Sequence, residues 1–279
     1  MLELRPGGRL GISTFAFAWA IGVPGHPPAR PMDAFAFLDR AAALGAEVAQ
    51  IGDNLPLQDW TLAELDRLRE HASALGLTLE VGTRGIAAGN LARYADIAAK
   101  LESRLLRVVI DTDRHQPAPD EVVATVRGAL PALECAGVTL AVENHDRFPV
   151  ATLAAIVQEV GSEGVGICLD TVNSLGSLEG PDAVLEALGP YVVNFHVKDA
   201  RIERLSHNMG FLVSGTPAGQ GMLDLPGMLR RLAELGRAPN VILELWPPPE
   251  DELQATIRKE DAWAEESMPY LRNVLAGLG

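Results

Sequence analysis

Residues 139–199 contain three short apolar runs that decide the fold: TLAVENH at 139–145, VGICLDT at 165–171 and VVNFHVKD at 192–199. Each run is rich in Val, Ile and Leu, which is typical of a strand buried on both faces of a parallel sheet. The segments between them, Val150–Val160 and Pro181–Leu188, have the length and periodicity of amphipathic helices. A strand–helix unit therefore repeats through this part of the chain.

The same alternation extends over the whole chain. The three strands described above are predicted at Thr139–Glu143, Val165–Asp170 and Val192–His196. Five further strands are predicted at Leu10–Thr14, Glu47–Ile51, Leu77–Gly82, Leu105–Asp111 and Val241–Leu245. Further helices are predicted at Asp33–Leu44, Leu62–Leu75, Leu91–Leu101, Asp120–Cys135, Leu225–Leu235 and Asp251–Leu275. Eight such units predict a single (β/α)8 TIM barrel.

A doubly wound open sheet is the alternative architecture. It would usually have fewer strands and a glycine-rich first turn, whereas the first run here ends in Ser13-Thr14-Phe15. No linker separates two halves of the sequence, so we expect one domain over residues 1–279. Several predicted helices, including those ending at Ala136 and Leu188, are followed by glycine, which commonly ends a helix in the left-handed conformation.

The composition excludes several classes of protein. The chain has 279 residues with 37 acidic and 23 basic side chains, and its formal net charge is −14. Such an acidic surface repels phosphate backbones, so we expect no nucleic-acid partner. No apolar run is long enough to span a bilayer, and we expect no membrane partner. Two cysteines, Cys135 and Cys168, cannot form a disulfide framework, which favours a cytoplasmic location.

The N-terminal stretch has some features of a secretion signal. Arg5 and Arg9 precede an apolar stretch over residues 10–23, in the order that a signal peptide shows. However, Glu3 weakens the basic region and Ser13 interrupts the apolar stretch. We therefore interpret this stretch as the first strand and its loop.

Four consecutive predicted strands each end in one ionisable residue: Glu143, Asp170, His196 and Glu244. In a barrel of parallel strands these ends meet on the face that carries the chemistry. An isolated buried charge would cost several kcal/mol, so a shared partner explains the four residues better than four separate structural roles. We predict that they bind one divalent metal ion. An oxygen-rich set with one nitrogen favours Mn²⁺ first, with Mg²⁺, Co²⁺ or Zn²⁺ as alternatives.

Neighbouring residues share the faces of these predicted ligands, because side chains two apart on a strand point the same way. His145 is predicted to carry protons or to support Glu143, and Lys198 to stabilise a developing oxyanion or to pair with Asp199. Trp246 and Trp19 are candidate apolar walls for a sugar ring, with packing in the loops as the alternative.

The strand-end motifs resemble those of the xylose isomerase-like TIM-barrel family of sugar phosphate isomerases and epimerases. The motifs that carry the resemblance are VENH at 142–145, LDT at 169–171, HVKD at 196–199 and ELW at 244–246, supported by EVGTRG at 80–85, GQGMLDLPGMLRRL at 219–232 and EESMPYLRNVL at 265–275. Together they cover essentially the whole chain and are specific for the superfamily rather than for one reaction.

The resemblance implies that the matching Glu, Asp, His and Glu residues bind one divalent metal ion. It also implies that Glu143 and Glu244 transfer protons on either side of a small carbohydrate substrate. Many members pair through helices of the barrel, which implies a homodimer. Asn173 departs from the pattern, because many members have histidine there and asparagine cannot shuttle a proton.

The segment 201–221 is predicted to be a loop that covers the substrate. Its glycines lack the GK[ST] ending of a phosphate-binding loop, which excludes that type of nucleotide site. Arg201, Arg204 and His207 are candidates to bind a phosphate or carboxylate of the substrate, with a solvated surface loop as the alternative.

We therefore expect a metal-dependent isomerase or epimerase that acts on a keto-sugar, or a derivative of one, through a metal-stabilised enediolate. A decarboxylase or a lyase/dehydratase of a keto sugar acid is the alternative, since it uses the same intermediate. An apurinic-site endonuclease would need more histidines and a basic surface. A sugar-binding barrel without catalysis is disfavoured by the presence of both Glu143 and Glu244.

Overall fold

The strands of the computed structural model form a closed barrel and one hairpin within residues 8–278, which it describes. In chain order they are β1 Leu10–Ser13, β2 Val48–Ile51, β3 Thr78–Arg84, β4 Leu105–Val109, β5 Thr139–Glu143, β6 Val165–Asp170, β7 Val192–Val197, β8 Asp199–Arg204, β9 Phe211–Thr216 and β10 Asn240–Leu243. All except β8 and β9 are parallel and close in the order β1–β10–β7–β6–β5–β4–β3–β2. The predicted (β/α)8 TIM barrel is therefore confirmed.

Helices follow the barrel strands and lie outside them, with their apolar faces in the core. They are α1 Ala18–Ile21, α2 Ala34–Ala43, α3 Leu62–Ala74, α4 Ala88–Lys100, α5 Pro119–Ala136, α6 Val150–Val160, α7 Pro181–Leu188, α8 Leu225–Glu234 and α9 Leu253–Ala276. The bounds of α6 and α7 coincide with the predicted ones, because short strands and glycines frame both segments.

Two glycines that follow helices behave differently. Gly137 ends α5 in the left-handed conformation at φ 67°, as predicted. Gly189 does not, because its φ is −48° and the chain continues into a short 3-10 turn. A Cβ atom on Gly189 would lie 2.8 Å from Leu235 Cδ1, so a larger residue there would require the end of the Leu235 side chain to shift.

The segment 201–221, for which the sequence predicts a loop that covers the substrate, is largely a β-hairpin. β8 and β9 pair antiparallel, with Arg201 opposite Ser214 and Arg204 opposite Phe211. The base of the hairpin is buried at Asp199, whereas residues 201–213 are exposed except for the half-buried Leu205. An exposed two-stranded ribbon lacks a buried face, so its sequence lacks the apolar–polar alternation that would have revealed it.

The apolar stretch near the N-terminus forms β1 and then helical turns up to the end of α1, as predicted for a first strand and its loop. Glu3 and Arg5 lie outside the described residues. Cys135 and Cys168 are both free thiols. Between residues 8 and 278, no helix has the length and apolar character needed to cross a membrane.

Candidate metal centre and substrate cleft

The four predicted ligands converge at the C-terminal ends of four adjacent barrel strands. Glu143 and Asp170 are the last residues of β5 and β6, His196 lies in β7, and Glu244 follows β10. All four are buried, with at most 2% of each exposed. One ligand atom from each lies within 4.8 Å of the others. Parallel strands of similar length thus bring together residues that are far apart in the sequence.

Asn144 fixes the orientation of Asp170 through the backbone. Its Oδ1 accepts the Asp170 backbone N–H at 2.7 Å, and its Nδ2 donates to the Asp170 carbonyl at 3.0 Å. Asp170 Oδ1 accepts the backbone N–H groups of Val172 and Asn173 at 2.9 and 2.8 Å. The second carboxylate oxygen of Asp170 is thereby directed towards the other three ligands.

The donor atoms fit a divalent cation. Both ring nitrogens of His196 and Oε1 of Glu244 are buried and make no well-aligned hydrogen bond among the described residues, although His196 Nδ1 lies 3.2 Å from Glu244 Oε1. Buried polar atoms are normally satisfied, and this set of one imidazole and three carboxylates is suited to a shared divalent cation. The Cys168 thiol lies near Glu143 and His196. Burial and the carboxylates around it raise its pKa well above the ordinary value, which disfavours thiolate ligation.

Arg107 is a residue of the site that the sequence did not reveal. It is a buried cation in β4, its Nε pairs with Glu143, and its Nη1 donates to Asp53 Oδ1 at 2.5 Å. Asp53 in turn accepts from Arg84 Nε at 2.9 Å. The available signal was an arginine inside the otherwise apolar strand LLRVV at 105–109.

Lys198 supplies a second cation, on the other side of the cluster. Its Nζ lies 2.8 Å from Asp170 Oδ2, 3.1 Å from Glu244 Oε2 and 3.2 Å from Asn173 Oδ1. The alternative pairing with Asp199 is wrong. Asp199 instead accepts backbone N–H groups from the loop after β9, at residues 219, 221 and 223.

Charges inside the cluster determine its protonation. Burial alone would raise the pKa of the Glu143 carboxyl, but Arg107 and His196 hold that pKa well below its ordinary value. Burial would likewise raise the pKa of Glu244, and the charges of His196 and Lys198 lower it. Burial alone would lower the pKa of the Lys198 ammonium, but the charges of Asp170 and Glu244 raise that pKa above its ordinary value. The ammonium therefore keeps its charge. Glu143 and Glu244 therefore favour the ionised form.

His145 and Asn173 complete the polar side of the site. The Nε2 atom of His145 lies 3.6 Å from Glu143 Oε1. Asn173 Nδ2 donates to the same carboxylate oxygen at 2.9 Å. Both residues line a cavity of about 420 Å³, together with Lys198 and Trp246. The structure thus brings together all four neighbours that the sequence indicated on this side.

An apolar cavity of about 450 Å³ adjoins the polar one, and Lys198, Val213 and Trp246 line both. The two cavities are therefore halves of one cleft, which we call the polar half and the apolar half. Trp19 lies in the wall of the apolar half, as do Phe15 and Pro247–Pro249. The indole N–H of Trp246 is buried and has no hydrogen-bond partner in the described part of the chain.

The structure does not bring Arg201, Arg204 and His207 to the cleft. They lie on the exposed part of the β8–β9 hairpin and line neither half. Arg201 donates to the backbone, and Arg204 stacks on Phe211 with its guanidinium carbon 4.6 Å from the ring centroid. The hairpin contributes apolar residues near its base instead.

Comparison with a curated relative extends over nearly the whole chain. The 3-oxo-isoapionate decarboxylase of Pectobacterium atrosepticum is 36% identical over 264 residues, which cover 94% of this chain and 94% of the relative.

Solved structures share the fold at low sequence identity. A D-psicose 3-epimerase from Clostridium cellulolyticum H10, solved with D-tagatose, has a TM-score of 0.75 at 16% identity and covers 96% of this chain and 99% of its own. A xylose isomerase-like TIM barrel protein from Mycobacterium smegmatis, solved in complex with magnesium, has a TM-score of 0.73 at 16% identity, with 97% of each chain covered.

The family assignment rests on a match that spans most of the barrel. A family model described as xylose isomerase-like TIM barrel matches residues 38–274. This agrees with the resemblance inferred from the strand-end motifs, and the chain belongs to the xylose isomerase-like TIM barrel family.

Proposed function

We propose that this protein is a divalent-metal-dependent decarboxylase of a 3-keto sugar acid. The observation that carries the proposal is the pairing of Arg107 with Glu143. Epimerisation through an enediolate needs one group to remove a proton and another to return it. Glu143 is bound by Arg107 and Asn173, which suits a ligand better than a base. Loss of CO₂ forms the same enediolate without removal of a C–H proton.

Four residues would hold the metal ion: Glu143, Asp170, His196 and Glu244. When bound there, a divalent cation polarises the substrate carbonyl and stabilises the negative charge of the enediolate. The oxygen-rich donor set favours Mn²⁺ or Mg²⁺. The magnesium complex of the Mycobacterium smegmatis protein supports a divalent ion in this fold.

The protein's own residues would perform the remaining steps. The bond between the carboxylate and its neighbouring carbon breaks, CO₂ leaves, and the electron pair passes into the adjacent carbonyl. Lys198 faces both halves of the cleft and keeps its charge, so it stabilises the enediolate oxygen. His145 lines the polar half and delivers the proton that the enediolate carbon then takes. Such proton transfer contributes about 10²–10⁴-fold to the rate.

The cleft would orient the substrate by its two unlike halves. Asn173 holds Glu143 and Lys198 in place on the polar side. Trp19 and Trp246 offer apolar faces to the carbon skeleton. The departing carboxylate loses its charge as CO₂ forms, so weakly polar surroundings favour the step.

The decarboxylase from Pectobacterium atrosepticum supports this choice of reaction. It is 36% identical over nearly its entire length, and its substrate by name is a 3-oxo acid. In a 3-oxo acid the carbonyl lies where it can accept the electron pair of the breaking bond. We therefore place the substrate of this protein in the same chemical class.

Epimerisation of a keto-sugar is the second candidate. The observation in its favour is that Glu244 lies beside Glu143 in the metal centre and that both carboxyls are ionised. A pair of carboxylates is the arrangement that two-base epimerisation uses.

A single experiment separates the two reactions. The Mn²⁺-loaded protein is given 3-oxo-isoapionate and, separately, free ketoses such as D-psicose in D₂O, with CO₂ release and C–H exchange followed by NMR. We expect CO₂ release from the acid, one deuterium in the product and no exchange in any ketose. Exchange at C3 of a ketose without CO₂ release from the acid would refute the decarboxylase proposal.

A further inference from the structure

The C-terminal helix α9 carries three buried polar side chains along one side. Thr256, Glu260 and Ser267 are at most 1% exposed. Spacings of four and seven residues place them on the same side of a helix. A helix face buried against a barrel is normally apolar, so these three side chains require polar partners.

Glu260 binds the turn that begins the apolar wall of the cleft. Its Oε2 accepts the backbone N–H of Trp19 at 3.0 Å, and its Oε1 accepts that of Ala20 at 2.6 Å. Both N–H groups belong to α1, a helix of only four residues with few hydrogen bonds of its own. A side chain some 240 positions away therefore holds this short turn.

The two other side chains hold the neighbouring loops in the same manner. Thr256 Oγ1 accepts the backbone N–H of Glu250 at 2.9 Å, and Ser267 Oγ accepts that of Ala218 at 3.0 Å. Glu250 directly follows the proline run of the apolar half, and Ala218 follows the base of the β8–β9 hairpin. Three loops that form one wall are thus attached to one helix.

Burial of the Glu260 carboxyl, the central one of the three side chains, costs free energy of desolvation. No cation pairs with Glu260 among the ion pairs of residues 8–278, and burial raises its pKa to about 8. A neutral acceptor would satisfy one N–H at lower cost. The carboxyl is distinctive because its two oxygens satisfy two successive N–H groups at once.

We propose that Glu260 is a positioning residue that sets the place of Trp19 in the substrate cleft, with Thr256 and Ser267 setting the two adjoining loops. The proposal rests on the proposed function only in taking the apolar half as a substrate surface. Glu260 does not touch the metal ligands, so it acts on how substrate is held rather than on the reacting atoms.

The first test follows the two amides directly and needs no substrate. Glu260→Gln replaces one acceptor oxygen by a donor, so hydrogen exchange of the Trp19 and Ala20 amides should become about tenfold faster. Glu265→Gln is the matched control, since it makes the same change at an exposed position of α9. Unchanged protection in the Glu260 variant would overturn the proposal.

The second test measures whether the loss of the Glu260 hydrogen bonds weakens substrate binding in the apolar half of the cleft. With the Mn²⁺-loaded enzyme and 3-oxo-isoapionate, Glu260→Gln should raise KM about fivefold or more and leave kcat within about twofold. A faster amide exchange with an unchanged KM would make Glu260 merely structural. If the wild type turns over no 3-oxo acid, the proposed function fails, and a ¹⁹F signal of 5-fluorotryptophan at Trp19 decides instead. That signal should shift in Glu260→Gln and not in Glu265→Gln.

A variant at a different residue of α9 guards against misfolding. Thr256→Val keeps the side-chain shape and removes the acceptor, so exchange should accelerate at the Glu250 amide and stay unchanged at Trp19. Faster hydrogen exchange at both the Glu250 and the Trp19 amide, or at neither, would contradict an arrangement in which each side chain holds one loop.

Discussion

Two buried polar layers lie one above the other inside the barrel, and they differ in how well their atoms are satisfied. The lower layer is centred on Glu80 in β3. Its Oε2 accepts from Gln50 at 3.0 Å and Asn194 at 2.9 Å, and its Oε1 accepts from Asn240 at 2.7 Å. Asn194 precedes His196 by two residues on β7, so the metal centre lies one layer above.

The upper layer has charges in place of a closed network. In the part of the chain that the structure describes, His196 Nε2 has no polar partner, and His196 Nδ1 and Glu244 Oε1 lie 3.2 Å apart without a well-aligned hydrogen bond. Arg107 and Lys198 balance the carboxylates without filling these positions. Burial of polar groups therefore does not by itself mark a site. Unmet hydrogen-bonding capacity among buried groups does.

The same substitution in the two layers should give opposite results. Glu244→Gln in the upper layer should lower kcat by about 10²–10⁴-fold, because it removes the charge of a proposed metal ligand. The fold should persist, as judged by circular dichroism. Full activity in this variant would remove Glu244 from the metal centre. Glu80→Gln is the matched control, and its activity per folded molecule should equal that of the wild type.

Removal of Arg107 should lower the stability of the protein, because this cation compensates buried carboxylates of the upper layer. Arg107→Met leaves the buried Glu143 and Asp53 carboxylates without their shared cation, which should destabilise the protein by about 3–5 kcal/mol in urea unfolding. Arg107→Lys restores the charge and should recover part of that loss. Equal stability of the methionine variant and the wild type would show that the ion pair is not formed in solution.

The convergence of the four strand-end ionisable residues was predictable because each of them breaks a local rule. An ionisable residue at the end of an apolar run is costly, and Glu143, Asp170, His196 and Glu244 do so on successive strands. The barrel itself followed from eight repeats of one pattern. The role of Arg107 could not be predicted in this way, because the residue lies within its strand. No local pattern indicates that Glu143 and Asp53 lie on either side of it.

Other features depend on contacts that no local pattern encodes. Glu260 resembles any surface glutamate of an acidic helix until the fold places Trp19 and Ala20 against it. Arg201 and Arg204 seemed suited to an anionic substrate, yet antiparallel pairing of the hairpin carries them away from the cleft. Long-range placement, rather than residue type, decides both cases.

Metal ions should stabilise the upper layer and leave the lower one unaffected. At a free Mn²⁺ concentration of about 100 times Kd, binding to the folded state alone adds about 2.7 kcal/mol to the free energy of unfolding. Thermal unfolding with Mn²⁺ and after chelation measures this increment, and turnover should vanish on chelation and return with Mn²⁺. The Glu80→Gln variant should show the same increment. Stabilisation that is equally large in Glu244→Gln would place the ion elsewhere.

The lower layer should contribute stability rather than activity. Glu80→Gln turns one accepting oxygen into a donor that faces the side-chain amides of Gln50, Asn194 or Asn240. One buried group then loses its partner, which should cost about 1–3 kcal/mol in chemical denaturation. Glu80→Asp keeps the charge but shortens the reach, so it should also be destabilising. A loss of activity without a loss of stability would place Glu80 in the site.

Cys168 lies at the boundary between the layers and should have the smallest effect. Its neighbours across the sheet are Glu143 on β5 and Asn194 on β7, and its thiol lies 3.5 Å from Asn194 Oδ1. Its position beside Glu143 and His196 would allow a thiolate ligand, but the raised pKa opposes that role. Cys168→Ala should therefore cost about 1 kcal/mol for the small cavity and leave Mn²⁺ affinity unchanged. A large fall in affinity, or a shift in preference from Zn²⁺ towards Mn²⁺, would assign the thiol to the upper layer.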